Sequence, residues 1–227
     1  MPDAQYQQRY EAALASKGTS CGAIYRLVLK LCTSLQIRGD VLDYGAGTGN
    51  LLGQIHECMQ TGSLTGADIL PRPEALPESI RWVAGDLNSP LLLPDASFDT
   101  IISAEVIEHL ENPRAVYREF FRLLRPGGNL IVTTPNQESL RSLAALGVGG
   151  HFVAFADSAY PAHITALLRK DFQRICLECR FEPPVFAYTD EGGIPKLPHI
   201  LWQSILSAFK GRWFSDNIAI VTRKPVA

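Results

Sequence analysis

A chain of 227 residues, 46% of them hydrophobic, has enough apolar matter for a sizeable core and too much for global disorder. Its net charge of −2, without a basic block, argues against a protein that clamps nucleic acid by phosphate neutralisation. No apolar run approaches the roughly 20 residues of a membrane span, and the first residues, MPDAQYQQRYEAALASKG, lack the apolar core of a signal peptide. The cysteines (Cys21, Cys32, Cys58, Cys176, Cys179) are odd in number and scattered, which fits a reducing compartment, so a cytoplasmic location is expected. Cys176 and Cys179 form a CxxC with no second pair and are read as structural.

In chain order, residues 3–17 carry Tyr6, Tyr10 and Leu14 at i, i+4, i+8, a weak amphipathic helix. A better one follows over 21–35, with Ile24, Leu27, Val28, Leu31 and Leu35. Val41–Leu52 (VLDYGAGTGNLL) reads as a strand, a glycine turn and a helix, the helix closing at Gly62. Strands are predicted at 63–68, 80–84, 98–103 and 129–134. AEVIEHL, at 104–110, turns helical; Asn112-Pro113 caps a further helix that RPGG (125–128) stops. Residues 137–160 read as a loop containing GVGGHF. Then come a helix over 164–179, a strand over 185–188, a helix near 200–209 and a last strand over 217–222. Strands alternating with helices five times predict a doubly wound parallel sheet. The chain is expected to be one domain over 1–227. A helical cap (1–37) precedes a ligand-binding half (38–135) and a second half (136–227) elaborated at 136–165 and 190–214.

The glycine turn is G-A-G-T-G-N, so a dinucleotide fingerprint GxGxxG fails at its sixth position, Asn50. The spacing GxGxG with Asp43 two residues before it resembles the first motif of the class I S-adenosylmethionine-dependent methyltransferases. GADI at the second strand, AGDL at the third, FDTIISAEVIEHLENP at the fourth and LRPGGNLIVTTPN at the fifth follow in the same family's order. The resemblance covers about residues 38–136, and the C-terminal strand pair also fits. It implies a Rossmann-like, mostly parallel α/β sheet of seven strands with helices on both faces and an antiparallel last strand. It also implies S-adenosylmethionine as cofactor, held by Asp43, Gly45, Ala46, Gly47, Asp68, Ile69, Asp86, Leu87 and Ala104. A carboxylate at Asp68 suits the ribose diol and one at Asp86 the adenine amino group. The bare backbone of Gly45–Gly49 can pass under the ribose and methionine portion. Asp43 would hold the turn or the ammonium end.

Glu105, Glu108 and His109 at i, i+3, i+4 would share a helical face beyond the fourth strand. Two carboxylates and an imidazole can hold a divalent cation such as Mg, Mn or Zn. ExxEH followed by a later histidine resembles the metal-dependent O-methyltransferases of quinone precursors and RNA 3′-terminal riboses. His163 is the better match for that histidine and His151 the second. Without a metal, Glu108, His109 and His163 are the candidates for substrate binding or general base, and a purely structural role also stays open. Tyr6, Tyr10, Phe152, Phe155, Tyr160, Trp202, Trp213 and Phe214 fall in segments that should cover the site, where aromatics are more often core than substrate-binding. The expected reaction is methyl transfer to a hydroxyl of a small molecule. The alternatives are RNA ribose 2′-O-methylation, disfavoured by charge, a non-catalytic cofactor-binding module, and a dinucleotide oxidoreductase. The sequence leaves the oligomeric state open.

Overall fold

The computed structural model describes residues 4–15, 18 and 20–226. The expected first helix therefore has its end residues 3, 16 and 17 outside the described residues. Helices α1 (Ala4–Ala15) and α2 (Gly22–Ser34) precede β1 (Val41–Tyr44), α3 (Asn50–Cys58), β2 (Leu64–Asp68), β3 (Arg81–Ala84) and β4 (Phe98–Ala104). Next come α4 (Pro113–Leu123), β5 (Leu124–Pro135), α5 (Leu140–Gly149), α6 (Arg169–Glu178) and β6 (Val185–Tyr188). The chain ends through β7 (Gly193–Ile194), β8 (Leu197–Leu201), the single turn α7 (Trp202–Ile205) and β9 (Asn217–Arg223). The main sheet has seven strands in the order β3-β2-β1-β4-β5-β9-β6. Its first five are mutually parallel. β9 runs antiparallel between β5 and β6. Among the described residues no helix is long and apolar enough to cross a membrane.

Successive strand residues face opposite sides, and the core divides accordingly. Val41, Ile102 and Ile131 pack with Val28 of α2 and Leu52 and Ile55 of α3. Leu42, Ile101 and Leu130 pack on the other face with Tyr117 and Phe120 of α4 and Phe172 and Ile175 of α6. The same alternation puts Asp43 on the α2–α3 side and Tyr44 on the other, where its hydroxyl donates to the Leu87 carbonyl at 2.7 Å. The strand order reverses direction between β1 and β4, and the carboxyl ends of the strands splay apart there, the place where such sheets bind ligands.

Several local expectations are corrected. α3 stops at Cys58, because Met59 is already extended, rather than at Gly62. AEVIEHL is not an α-helix. Glu105 takes φ +57, with its N–H donated to the Thr133 carbonyl of β5 at 3.1 Å, and only one 3-10 turn, Ile107–His109, follows. RPGG lies within a twelve-residue β5. The stretch 137–160 contains α5, capped by the Ser139 hydroxyl accepting from the Ser142 N–H and closed by Gly150 at φ +74. α6 starts late, since Ile164 and Thr165 donate their N–H groups to the Glu108 carbonyl at 2.9 and 3.0 Å. Residues 197–201 pair as a strand, and α7 stops after one turn, its Trp202 ring packed on Phe209 and Phe214.

Candidate functional site

The carboxyl ends of β1, β2 and β4, roofed by α1 and the start of α2, enclose a cavity of about 760 Å³. It is lined by Asp43, Gly45, Ala46, Gly47, Asp68, Ile69, Asp86, Leu87 and Ala104, and also by Glu105, Glu108, His109 and His163. The sheet thus brings together residues 120 positions apart in sequence, from Asp43 to His163. His151 is exposed and outside the lining. Of the eight aromatics singled out, Tyr160 alone lines the cavity. Tyr6 and Tyr10 stack on each other, and Trp202 and Phe214 belong to the cluster beside α7.

The glycine turn is shaped by close approach. Gly45 has φ +88, and a β-carbon there would lie 2.2 Å from Val106 Cγ2. A β-carbon on Gly47, at φ +52, would lie 2.2 Å from the Gly18 carbonyl oxygen. The turn is held by Asp68, whose Oδ2 accepts the Gly47 N–H at 2.7 Å while Oδ1 accepts the Leu70 N–H at 2.9 Å. Asp43 makes no such bond: its Oδ1 is buried with no hydrogen-bond partner. Burial first, and the neighbouring Asp68 second, push the Asp43 carboxyl up to about 7. Burial also raises Asp68, against the lowering effect of its amide donors. Two buried acids side by side favour a cation between them. Asp86 accepts from the Asn88 N–H at 3.0 Å, and its other oxygen is ion-paired with Arg9 of α1. Arg9 reaches Glu111 as well, at 2.6 Å.

The acidic and imidazole groups beyond β4 divide in two. Glu105 Oε1 accepts from Thr133 Oγ1 and Oε2 from Asn217 Nδ2, each at 2.8 Å. Burial raises its carboxyl to about 7. Glu108 is fully buried and accepts from Thr134 Oγ1 at 3.1 Å; burial, then repulsion from Glu105, hold its carboxyl well above the ordinary range. His109 Nδ1 donates to the Ala162 carbonyl at 2.8 Å, and His163 Nδ1 donates to the Ala154 carbonyl at 2.6 Å. A carbonyl only accepts, so each neutral ring keeps its lone pair on Nε2. The rings meet edge to face, 4.8 Å apart. Burial, with His163 adding to it, depresses the His109 pKa despite the Ala162 bond.

One ligand atom each from Glu108, His109 and His163 lies within 4.8 Å of the others. Glu105 stands outside that group, which corrects the four-ligand set. The left-handed backbone at Glu105 breaks the helical spacing, and Thr133 and Asn217 take its carboxylate. Composition and motif reading missed Arg9 and Ala12 of α1, Tyr25 of α2, and Asn217 of β9 as lining residues. The 8–12 stretch had only weak helical periodicity. Asn217 carries no local signal, since it reaches the site through antiparallel pairing across from Pro135.

Comparison with known proteins agrees with the fold. A family model described as a methyltransferase domain matches residues 7–180. A demethylmenaquinone methyltransferase of Roseiflexus castenholzii is 34% identical over 128 residues, covering 52% of this chain and 50% of the relative. A ubiquinone biosynthesis O-methyltransferase of Xanthomonas oryzae is 34% identical over 82 residues, 32% of this chain and 34% of the relative. The alignments span half or less of such curated relatives, with 20% of a bifunctional biotin biosynthesis protein of Teredinibacter turnerae covered. In fold, the chain is similar to 1,6-didemethyltoxoflavin-N1-methyltransferase of Burkholderia thailandensis, crystallised with S-adenosylhomocysteine. The TM-score is 0.64 at 18% identity over 99% of this chain and 92% of that one. A methyltransferase of Archaeoglobus fulgidus superposes with TM-score 0.61 at 19% identity, over 88% and 94%. With the family model spanning most of the chain and the sheet order matching, the chain belongs to the class I S-adenosylmethionine-dependent methyltransferases.

Proposed function

We propose that the chain transfers a methyl group from S-adenosylmethionine to a hydroxyl of a small molecule, with His109 as the base. The observation that carries this is the fixed tautomer of His109. Its Nδ1–H is tied to the Ala162 carbonyl, and its half-buried ring, with a depressed pKa, lines the cavity.

The residues suit the cofactor. An ammonium or sulfonium beside Asp43 would offset both the orphaned Oδ1 and the repulsion from Asp68. Asp68 would meet the ribose hydroxyls while still holding Gly47, because a carboxylate oxygen accepts two bonds. Asp86, Ile69 and Leu87 would flank the adenine, with Ala46 and Ala104 packing on the remainder. When bound, S-adenosylmethionine supplies an electrophilic methyl carbon on a sulfonium. The chain then has two tasks: to align an acceptor oxygen in line with that carbon, and to take the hydroxyl proton on His109 Nε2. Bound there, the cofactor would supply the methyl to that oxygen and keep the electron pair of the broken carbon–sulfur bond on sulfur. Relatives named O-methyltransferases support oxygen as acceptor, although a structural neighbour is named for a nitrogen acceptor.

Calorimetry with S-adenosylhomocysteine and NAD, side by side, tests the cofactor; binding of NAD alone would overturn the reading. His109→Ala is expected to lower kcat by roughly 10²–10⁴-fold and leave S-adenosylhomocysteine affinity within a few-fold. Unchanged turnover would remove His109 from the base role.

A second reading uses the same cluster as a divalent cation site, with Glu108, His109 and His163 as ligands and their tethers to Thr134, Ala162 and Ala154 orienting them. Chelator treatment is then expected to abolish turnover, with Mg, Mn or Zn restoring it. Full activity after chelation would leave the base reading alone.

A further inference from the structure

Two stretches outside the cavity carry exposed apolar side chains that the reaction does not use. α5 presents Leu140, Leu143 and Leu146 along one stripe and Val148 at its end, 84% exposed. The lobe over 192–214 presents Leu197, Ile200, Ile205, Leu206 and Trp213, with Ile205 61% exposed. These nine are more than half of the seventeen large apolar side chains exposed among the described residues, in under a fifth of the sequence. The two stretches adjoin, for the Leu140 N–H donates to the Trp213 carbonyl at 2.9 Å and Asn136 Nδ2 to the Arg212 carbonyl at 2.7 Å.

Their charge is of one sign. Neither 139–156 nor 192–215 contains an Asp or Glu, while they carry Arg141, Lys196, Lys210 and Arg212. Of the flanking acids, Asp157 is exposed, Glu191 pairs with Arg26, and the rest are taken within the fold. Glu138 holds Arg169 and Arg212, Asp216 holds Arg141, and Asp190 accepts the Gly211 N–H. Lys196 and Lys210 stay exposed, and the Arg212 guanidinium lies 4.5 Å from the centre of the Trp213 ring.

We propose that this face docks on an anionic lipid bilayer. Leucines and isoleucines among Lys and Arg, with a tryptophan at the border, match what lies in a membrane interface. A second copy of the chain fits less well. A two-fold contact would set Lys196 and Lys210 against their own copies, with no Asp or Glu within either stretch to answer them. The face also continues into the site. The chain after α5 ties Ala154 to His163, and Tyr160 and Ile164, both exposed, line the cavity. The docking stands apart from the acceptor assigned above.

Sedimentation of the full chain with phosphatidylcholine vesicles, plain or with roughly 30% phosphatidylglycerol, tests it. Binding is expected to the anionic vesicles only, weakening with salt. Lys196→Glu with Lys210→Glu should cut affinity roughly tenfold or more, at about 1 kcal/mol per basic residue. Ile205→Glu with Leu206→Glu should abolish binding. Circular dichroism should match the parent in both, since all four positions are exposed. No binding to anionic vesicles, or binding that neither variant changes, overturns the proposal. So does a dimer in sedimentation equilibrium that the Ile205/Leu206 variant dissolves, which would make the face a self-interface.

Discussion

Asp43 is the most exacting residue of the site. It sits at the end of a strand whose every residue is buried, and nothing in the fold bonds its Oδ1. Its folded pKa, about 7, is raised above the ordinary 3.8. The stability this group contributes is therefore fully present below about pH 4 and is lost as pH rises through about 7. Asp43→Asn removes that loss. Without ligand, the variant should match its parent near pH 4 and exceed it by a few kcal/mol near pH 8, as read by urea denaturation at both pH values. Binding runs the other way. An ionised Asp43 attracts a cationic ligand, so S-adenosylmethionine affinity should rise through about pH 7 in the parent and stay flat and weak in Asp43→Asn. A parent whose affinity ignores pH would separate Asp43 from the positive end of the cofactor. The geometry of the turn next to it is steric: a β-carbon at Gly47 meets backbone, the Gly18 carbonyl, which cannot swing aside as a side chain can.

At the scale of elements, α1 lies over the cavity, with Gln8, Arg9, Ala12 and Ala13 in its lining. Arg9 ties it to the sheet side, bridging Asp86 and Glu111. Partly exposed pairs of this kind contribute about 1 kcal/mol or less each, so Arg9→Ala should change global stability little. It should instead loosen the roof, so that S-adenosylhomocysteine enters and leaves several-fold faster in stopped-flow binding and protease reaches α1 sooner. Exchange rates equal to the parent's would mean that α1 does not gate the cavity. The elements also differ in how well their sequence announces them. Buried parallel strands are near-continuous apolar runs, and the glycine turn follows one directly, so β1 to β5 and the cavity-lining residues at their carboxyl ends were legible. Asn112-Pro113 marked α4 by capping chemistry that the Ala115 N–H bond realises. AEVIEHL misled because its helical spacing is overridden by a bond across the sheet from Glu105 to Thr133. α5 hid in glycines, although Ser139 before Leu140, Leu143 and Leu146, with Gly150 after, was a readable cap-to-cap signal. The 192–214 lobe could not be read locally. Its strand pairing and the tie of Gln203 to Phe209 and Phe214 are made by the fold.

Over the whole molecule, the sheet is the single slab on which both core clusters rest: Val41 and Leu42, neighbours in β1, belong to opposite ones. A ligand at the carboxyl ends of β1, β2 and β4 touches the loops that follow all three strands, and through them the helices on either face. It should therefore stabilise both clusters together. Binding the folded chain alone, S-adenosylhomocysteine at 100 times its Kd adds about 2.7 kcal/mol. For a chain of this size that corresponds to a rise in unfolding midpoint of roughly 5–10 °C. The transition should move as one, seen equally by far-ultraviolet circular dichroism and by tryptophan fluorescence, to which Trp82 of the edge strand β3 and Trp202 and Trp213 of the C-terminal lobe contribute. NAD at the same concentration should leave the midpoint unchanged, since the turn lacks the third glycine of a dinucleotide site and ends in Asn50. If fluorescence from the C-terminal lobe melts early and ignores the ligand while the circular dichroism transition shifts, the lobe is a separate unit and the coupling through β9 fails. The fold argues against that outcome, because Asn217, the first residue of β9, is itself bonded to Glu105 in the cavity wall.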